Sequence, residues 1–328
     1  MIALTSGACL LCSSTAGGAV PDDDIADEKI TCEQSPGADP FYKKPSASKV
    51  YDDMFSKSRA IPGLDDDYVP QGLAVWKDLM LITAYENDDD SEDRGDSEGD
   101  RGSGTSARIY VINLTTGARD FVEIADSHAG GIAVVKDWVF VEGKQVDDGE
   151  DEGTERDYTI DKYRLDSLLL ALSLPGHATL NPVGEPRKVY GSSFLASSGD
   201  TLYAGRFNTG GRDSMYEYSV AANGNLKTGQ KYEVPKKTQG LLVSKGHFIY
   251  STSHGRGNFS NVYVVDGGAT DIDSSARCFR APSMSQGIAA FNGNAYLLFE
   301  SGARKYVDGA KNPIRNLHKA DLVDLATY

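Results

Sequence analysis

The stretch QGLAVWKDLMLI, Gln71–Ile82, recurs four more times: GGIAVVKDWVFV from Gly130, SSFLASSGDTLY from Ser192, QGLLVSKGHFIY from Gln239 and QGIAAFNGNAYL from Gln286. The copies align without a gap. Their second place holds Gly in four cases and Ser193 in the other, and their third is always large and apolar: Leu73, Ile132, Phe194, Leu241, Ile288. At the centre stands a two-residue turn: Lys77-Asp78, Lys136-Asp137, Ser198-Gly199, Lys245-Gly246, Asn292-Gly293. Asn-Gly is the strongest short hairpin signal, because a type I′ turn needs positive φ at both central residues. Each copy therefore predicts a β-hairpin.

Outward from each hairpin comes a third strand marked by Tyr-x-aliphatic: Tyr110-Val-Ile-Asn, Tyr163-Arg-Leu-Asp, Tyr218-Ser-Val and Tyr263-Val-Val-Asp, with His318-Lys-Ala-Asp as the fifth copy. Fourth strands are expected at Arg119–Ile124, Arg187–Tyr190, Gln230–Val234 and Arg277–Ala281. Four antiparallel strands repeated radially make an all-β, five-bladed β-propeller. The fifth unit runs out of chain soon after His318. Its outer strand is expected from within Lys49–Leu64, which closes the ring and removes the open edges of a linear sheet.

The 328 residues include 35 Gly and 17 Tyr, a composition of short strands and tight turns. A net charge of −15 argues against binding duplex nucleic acid or an anionic membrane surface, both of which call for clustered Lys and Arg. Met1–Ala19 carries no acid or base and reads as a signal peptide or leader remnant, ending in small residues before Val20-Pro21-Asp22. A lipid anchor at Cys9 or Cys12 is the other reading of that segment. Residues 20–328 then form a single secreted propeller domain, expected as a monomer, with no later apolar run long enough to span a bilayer. Without the leader two cysteines remain, and Cys32 and Cys278 in an exported chain read as one disulfide that pins the ring closure.

Successive copies begin 59, 62, 47 and 47 residues apart, so the first two gaps hold insertions. These are the acidic stretches ENDDDSEDRGDSEGDR at Glu86–Arg101 and DDGEDEGTERD at Asp147–Asp157. One reading is a solvated acidic rim; the other is calcium, which takes oxygen ligands from such loops. Asp89-x-Ser91-x-Asp93 resembles an EF-hand start, but Arg94 stands where the sharp turn wants Gly. No metal ligand is assigned.

The propeller class implies that the loops leading into the inner strands and out of the second strands share one face. That face would gather Gln71, His128, Ser192, Gln239 and Gln286 with Tyr85, Glu86, Lys144, Arg206, Asn208, His254, Arg256 and Glu300. His254, Glu300 and His128 are the acid–base candidates; Gln71, Glu86, Arg206, Gln239, Arg256 and Gln286 would position a small polar ligand. The two arginines favour a carboxylate or phosphate on it. The glutamines also have a purely structural reading, as amides bridging neighbouring inner strands. Because the rim residues differ from blade to blade, one asymmetric enzymatic site is favoured over a repeated glycan- or protein-binding set, which is the competing class.

Thr238-Gln-Gly-Leu241 with Ile249-Tyr-Ser-Thr-Ser253 and Tyr263-Val-Val-Asp266 resembles a blade of the plant and bacterial type of glutaminyl cyclase. Val69-Pro-Gln-Gly-Leu73 with Ile109-Tyr-Val-Ile-Asn113 repeats the resemblance. It covers two or three blades and implies a five-bladed propeller. That family's catalytic carboxylate, in a Tyr-Glu-Ser-Thr-like stretch, has no match, since Ser251 and Thr83 stand there; Glu300, in Phe-Glu-Ser, is the comparable acid in another blade.

Overall fold

The computed structural model describes residues 29–43, 45–87, 106–144 and 158–328. The leader, nearly all of the first acidic insertion and the whole of the second lie outside the described residues, so the calcium reading does too. Ser48 opens α1 (Lys49–Met54) by accepting the Tyr51 N–H, and the chain then enters β1 (Phe55–Ala60). Blade one is β2 (Tyr68–Trp76), β3 (Leu79–Glu86), β4 (Ala107–Asn113) and β5 (Arg119–Ile124). Blade two is β6 (Ile132–Val135), β7 (Trp138–Glu142) and β8 (Tyr158–Arg164), then α2 (Leu165–Ser173) and β9 (Arg187–Val189). Blade three runs through β10 (Phe194–Ser198), β11 (Thr201–Gly205), β12 (Asp213–Val220) and β13 (Leu226–Val234). Blade four is β14 (Thr238–Ser244), β15 (His247–Thr252), β16 (Ser260–Asp266) and β17 (Arg277–Ala281). Blade five has β18 (Ser285–Phe291), β19 (Asn294–Phe299), α3 (Arg304–Val307) and β20 (Asn316–Asp321), with α4 (Leu322–Thr327) behind it.

These are five separate four-stranded antiparallel sheets, and the outer strand of blade five is β1, paired with β20 from Phe55↔Ala320 to Ala60↔Asn316. The ring closes as the sequence predicts. The apolar core is a circle of layers between blades. One cluster joins blades one and two (Ile109, Val122, Val139, Val141), another joins two and three (Phe140, Leu195, Leu202), and a third joins three and four (Phe194, Met215, Tyr250, Tyr263). The largest spans blades four, five and one, with Phe279, Phe299, Leu317 and Met80. Cys32 and Cys278 are bonded, and Glu33 lies parallel to Phe279 along the outer strand of blade four. On the chain-entropy model, closing a loop across 246 positions is worth about 5.5 kcal/mol.

The hairpin turns hold in four blades. Lys245-Gly246 and Asn292-Gly293 have positive φ at both residues, whereas in blades one and two only Lys77 (φ 53) and Lys136 (φ 55) do. Blade three differs by one residue. Ser198 pairs with Thr201, so its turn is Gly199-Asp200, not Ser198-Gly199. Gly199 takes φ 56 without a Cβ penalty, and the turn centres on it. The slip moves Phe194 into the place held elsewhere by glycine, and the bare Gly205 opposite leaves room for its ring: a Cβ there would sit 2.2 Å from Phe194. Helix α2 is an element the strand repeat did not predict; it buries Leu165, Leu168 and Ala171 against blades one and two.

Candidate functional site

Close packing of the inner strands positions the centre of the molecule. A Cβ on Gly72 would lie 2.8 Å from the Ile132 nitrogen, one on Gly131 2.7 Å from that of Leu195, one on Gly240 2.6 Å from the Gln286 carbonyl, and one on Gly287 2.5 Å from the Leu73 nitrogen. Each glycine lets one inner strand touch the next blade's backbone, and that close approach accounts for the repeated Gly of the sequence. Four non-glycine residues just ahead of inner strands, Asp67, Ala129, Lys237 and Met284, are left-handed (φ 53–63). Their recurrence in four blades marks this bend as part of the architecture.

Glu300 follows the last residue of β19, at the end of the ring where second strands run out. Its N–H donates to the Met284 carbonyl at 3.1 Å, and its own carbonyl accepts from Ala303 at 2.9 Å. The side chain is turned in from solvent. Gln71 of blade one donates its Nε2–H to Oε2 of Glu300 at 2.7 Å, bridging two blades through side chains. Burial pushes the carboxyl up to about 7, a shift that the Gln71 and Gln286 amides and the Lys305 charge partly oppose. Gln286 is 1% exposed and its Nε2 also faces the carboxyl, but it forms no hydrogen bond of full geometry there or elsewhere. A carboxyl balanced between its two protonation states near neutral pH can take a proton or give one.

Above Glu300 runs a line of aromatic and cationic groups. Tyr85 and Tyr306 meet through their hydroxyls at 3.3 Å, and Lys305 Nζ donates to the Tyr85 hydroxyl at 3.3 Å. His128 stacks on Tyr85 with ring centroids 4.6 Å apart, and the Arg256 guanidinium lies 5.3 Å from the centre of the Tyr306 ring. Burial, with Tyr306 and Glu300 nearby, holds the Tyr85 hydroxyl well above its ordinary range, so it stays a neutral donor. The structure thus joins five of the expected residues, Gln71, Gln286, Glu300, Arg256 and His128, through Tyr85, Lys305 and Tyr306.

The other expected residues have different neighbours. Arg206 donates to Asp213 at 2.7 Å, and Asn208 donates to the same carboxylate at 2.9 Å. His254 lies 6.1 Å from the Phe207 ring, and its carbonyl accepts from Asn258. Gln239 is half-buried ahead of Gly240, and Glu86 is half-buried at the end of β3, opposite Tyr68. Ser193, not Ser192, occupies the Gln71 place once blade three is shifted. Sequence reasoning missed Glu142, which is 1% exposed and accepts the Gly130 N–H at 2.7 Å. Its signal was present: an acid ending the apolar strand WVFVE, as Glu300 follows LLF. It also missed Asp161 of blade two, a buried carboxyl that burial pushes up and whose Oδ1 has no partner.

A cavity of about 750 Å³ opens away from this cluster, between blades three and four, at Lys29, Arg212, Glu233 and Asp273. Its charges are matched locally: Arg212 pairs with both Glu233 and Asp273, and Lys29 with Asp273. Among the described residues no group of three His, Cys, Asp or Glu side chains could hold a metal, and no helix is long and apolar enough to cross a membrane.

No protein-family model and no curated protein matches the sequence, so the resemblance to glutaminyl cyclases is not confirmed. Solved structures do match. CoXyl43, a GH43 β-xylosidase/α-arabinofuranosidase from a compost microbial metagenome, in complex with xylotriose and in calcium-free form, superposes with a TM-score of 0.52 at 11% identity. The match covers 81% of this chain and 94% of that one. The GH43_1 enzyme of Xanthomonas citri complexed with xylose gives 0.50 at 9% identity, over 82% and 90%. At such identity the likeness is one of fold alone: this chain is a five-bladed β-propeller.

Proposed function

We propose that the protein is a secreted enzyme that binds a small polar or anionic ligand at the mouth of its ring, over blades five, one and two, with Glu300 exchanging a proton with it. The observation that carries this is the buried Glu300 carboxyl, poised near pH 7 and held by an amide from the neighbouring blade. Catalytic carboxylates are raised toward the working pH by burial in this way. Arg256 and Lys305 supply positive charge on a chain whose net charge is −15, and Tyr85, Tyr306 and His128 supply flat faces. An acid or a sugar acid fits such a surface. The Cys32–Cys278 bond supports an oxidising compartment.

The test is a thermal-shift screen of the disulfide-intact chain against sugars, amino acids, small peptides, sugar acids and phosphate esters, with calcium as a separate arm. A ligand of the site raises the midpoint by mass action and loses its effect in Glu300→Gln and Arg256→Ala. Turnover of that ligand, abolished by Glu300→Gln, would establish the enzyme. Binding without turnover would support a non-catalytic module instead. A ligand indifferent to both substitutions would place its site elsewhere.

A further inference from the structure

Of the two amides at Glu300, one is committed and one is not. Gln71 spends its Nε2–H on Oε2 of Glu300 at 2.7 Å. Gln286 Nε2 is shut off from bulk water and lies near enough to the same carboxyl to favour its charged form, but it makes no hydrogen bond of full geometry. Leaving a buried amide donor unmade is costly, and such groups in native proteins are nearly always satisfied by protein, by ordered water or by a ligand. Other buried side-chain atoms also lack partners, Ser192 Oγ and Asn261 Nδ2 among them, but Gln286 Nε2 is the one beside Glu300.

We propose that Gln286 and Glu300 form a seat for a single hydroxyl-type oxygen, and that Gln71 is the positioning residue that fixes the carboxyl for it. When Glu300 is ionised the atom must accept from Gln286 Nε2 and donate to Glu300, and when Glu300 is protonated it must accept from both, so only an oxygen able to do either serves both states. A hydroxyl or a water does both, whereas a carbonyl or carboxylate oxygen only accepts and an ammonium only donates. The seat therefore takes a hydroxyl of a polyol-like ligand or an ordered water. In either case this atom is the nearest proton source for Glu300. The inference deepens the proposed function and rests on it for the role of Glu300.

A high-resolution crystal structure of the full disulfide-bonded chain tests it, determined without additive and again with xylitol as a hydroxyl-only probe. The expected result is one ordered oxygen within hydrogen-bond distance of both Gln286 Nε2 and the Glu300 carboxyl. Replacement of that oxygen by a probe hydroxyl identifies ligand as its source; the same water in both crystals identifies solvent. In Gln286→Leu the oxygen should vanish while the Gln71–Glu300 bond stays. Carboxyl NMR should show Glu300 titrating higher in Gln71→Leu, a readout that a merely structural amide would leave unchanged. Absence of the oxygen, with Gln286 Nε2 bonded directly to a protein acceptor, overturns the seat. If that happens while a ligand still responds to Glu300→Gln, only the seat falls. If the oxygen is present and no ligand responds to Glu300→Gln, the proton-transfer function falls and the seat stands.

Discussion

Glu300 and His318 lie on the same blade, both cut off from water, and burial drives them in opposite directions on the pH scale toward the same uncharged state. Glu300 is raised from 4.5 to about 7 and His318 lowered from 6.5 to about 3. Their surroundings separate them. His318 sits among Phe41, Tyr42, Tyr51 and Phe299, with ring centroids 4.7–5.9 Å away, and its Nδ1 is bonded to the Tyr51 hydroxyl at 2.7 Å. That bond ties the segment ahead of β1 to β20 and so serves the closure of the ring. At Glu300 an amide from another blade holds the carboxyl, and a second amide beside it lacks a hydrogen bond of full geometry. Burial alone does not make a site; burial with unused polar capacity does.

The largest expected effect that tests this contrast is on acid stability. The His318 pKa is depressed in the fold, so between about 6.5 and 3 the unfolded chain binds the extra proton. Its contribution is present above 6.5 and is lost as pH falls, at up to about 1.4 kcal/mol per pH unit. Denaturant titrations across that range should show the slope, and His318→Phe should flatten it. Glu300 carries the opposite sign. Its folded pKa is raised, so its contribution is present below 4.5 and is lost as pH rises through about 7. Glu300→Gln should therefore make the protein more stable than wild type at pH 8, by about 1–3 kcal/mol, with the gap closing by pH 4. A Glu300→Gln protein less stable than wild type at pH 8 would mean that the carboxylate is better solvated than its burial implies.

A somewhat smaller effect should appear at the Tyr51–His318 bond. His318→Phe strands a buried hydroxyl and should cost about 1–3 kcal/mol at pH 7, most of it recovered when Tyr51→Phe is added. A double variant no better than the single would show that the imidazole matters by shape and not by its hydrogen bond. The smallest effect is expected at Gln71. Gln71→Leu removes one donor from Glu300 and should move its titration upward with little change in midpoint temperature at pH 5, where the carboxyl is already protonated.

The architecture was legible because most blades carry the same local signals: a glycine where inner strands touch, a turn pair beginning five residues on, and a Tyr in the third strand. Where one local signal was doubled, the reading slipped. Ser192-Ser193 and Ser198-Gly199 each offered two registers, and only packing of Phe194 over Gly205 decides between them. Helix α2 escaped because it lies in a gap of the repeat. At the site, Glu300 was visible as an acid following an apolar strand, and Glu142 obeyed the same rule unnoticed. The Gln71–Glu300 bond could not be read, because its partners stand 229 positions apart and meet only when the ring closes. Arg206 looked like a ligand anchor for want of any hint that Asp213 turns back onto it.

Closure by β1 also fixes when the molecule can exist. Its partner β20 follows every strand of the other four blades in the chain, so a growing chain can complete four blades while the fifth still lacks a strand. Domains of this kind assemble as the polypeptide emerges, and an unpaired edge is exposed meanwhile. Cys278 appears before β20 does. Once bonded to Cys32 it holds the incoming segment against blade four, 23 residues ahead of β1, and so raises the local concentration of the strand that must wait. The bond serves as a tether during synthesis as well as a brace afterwards, and a chain ending even a few residues before Asn316 would be left with a gap that its own first strand cannot fill.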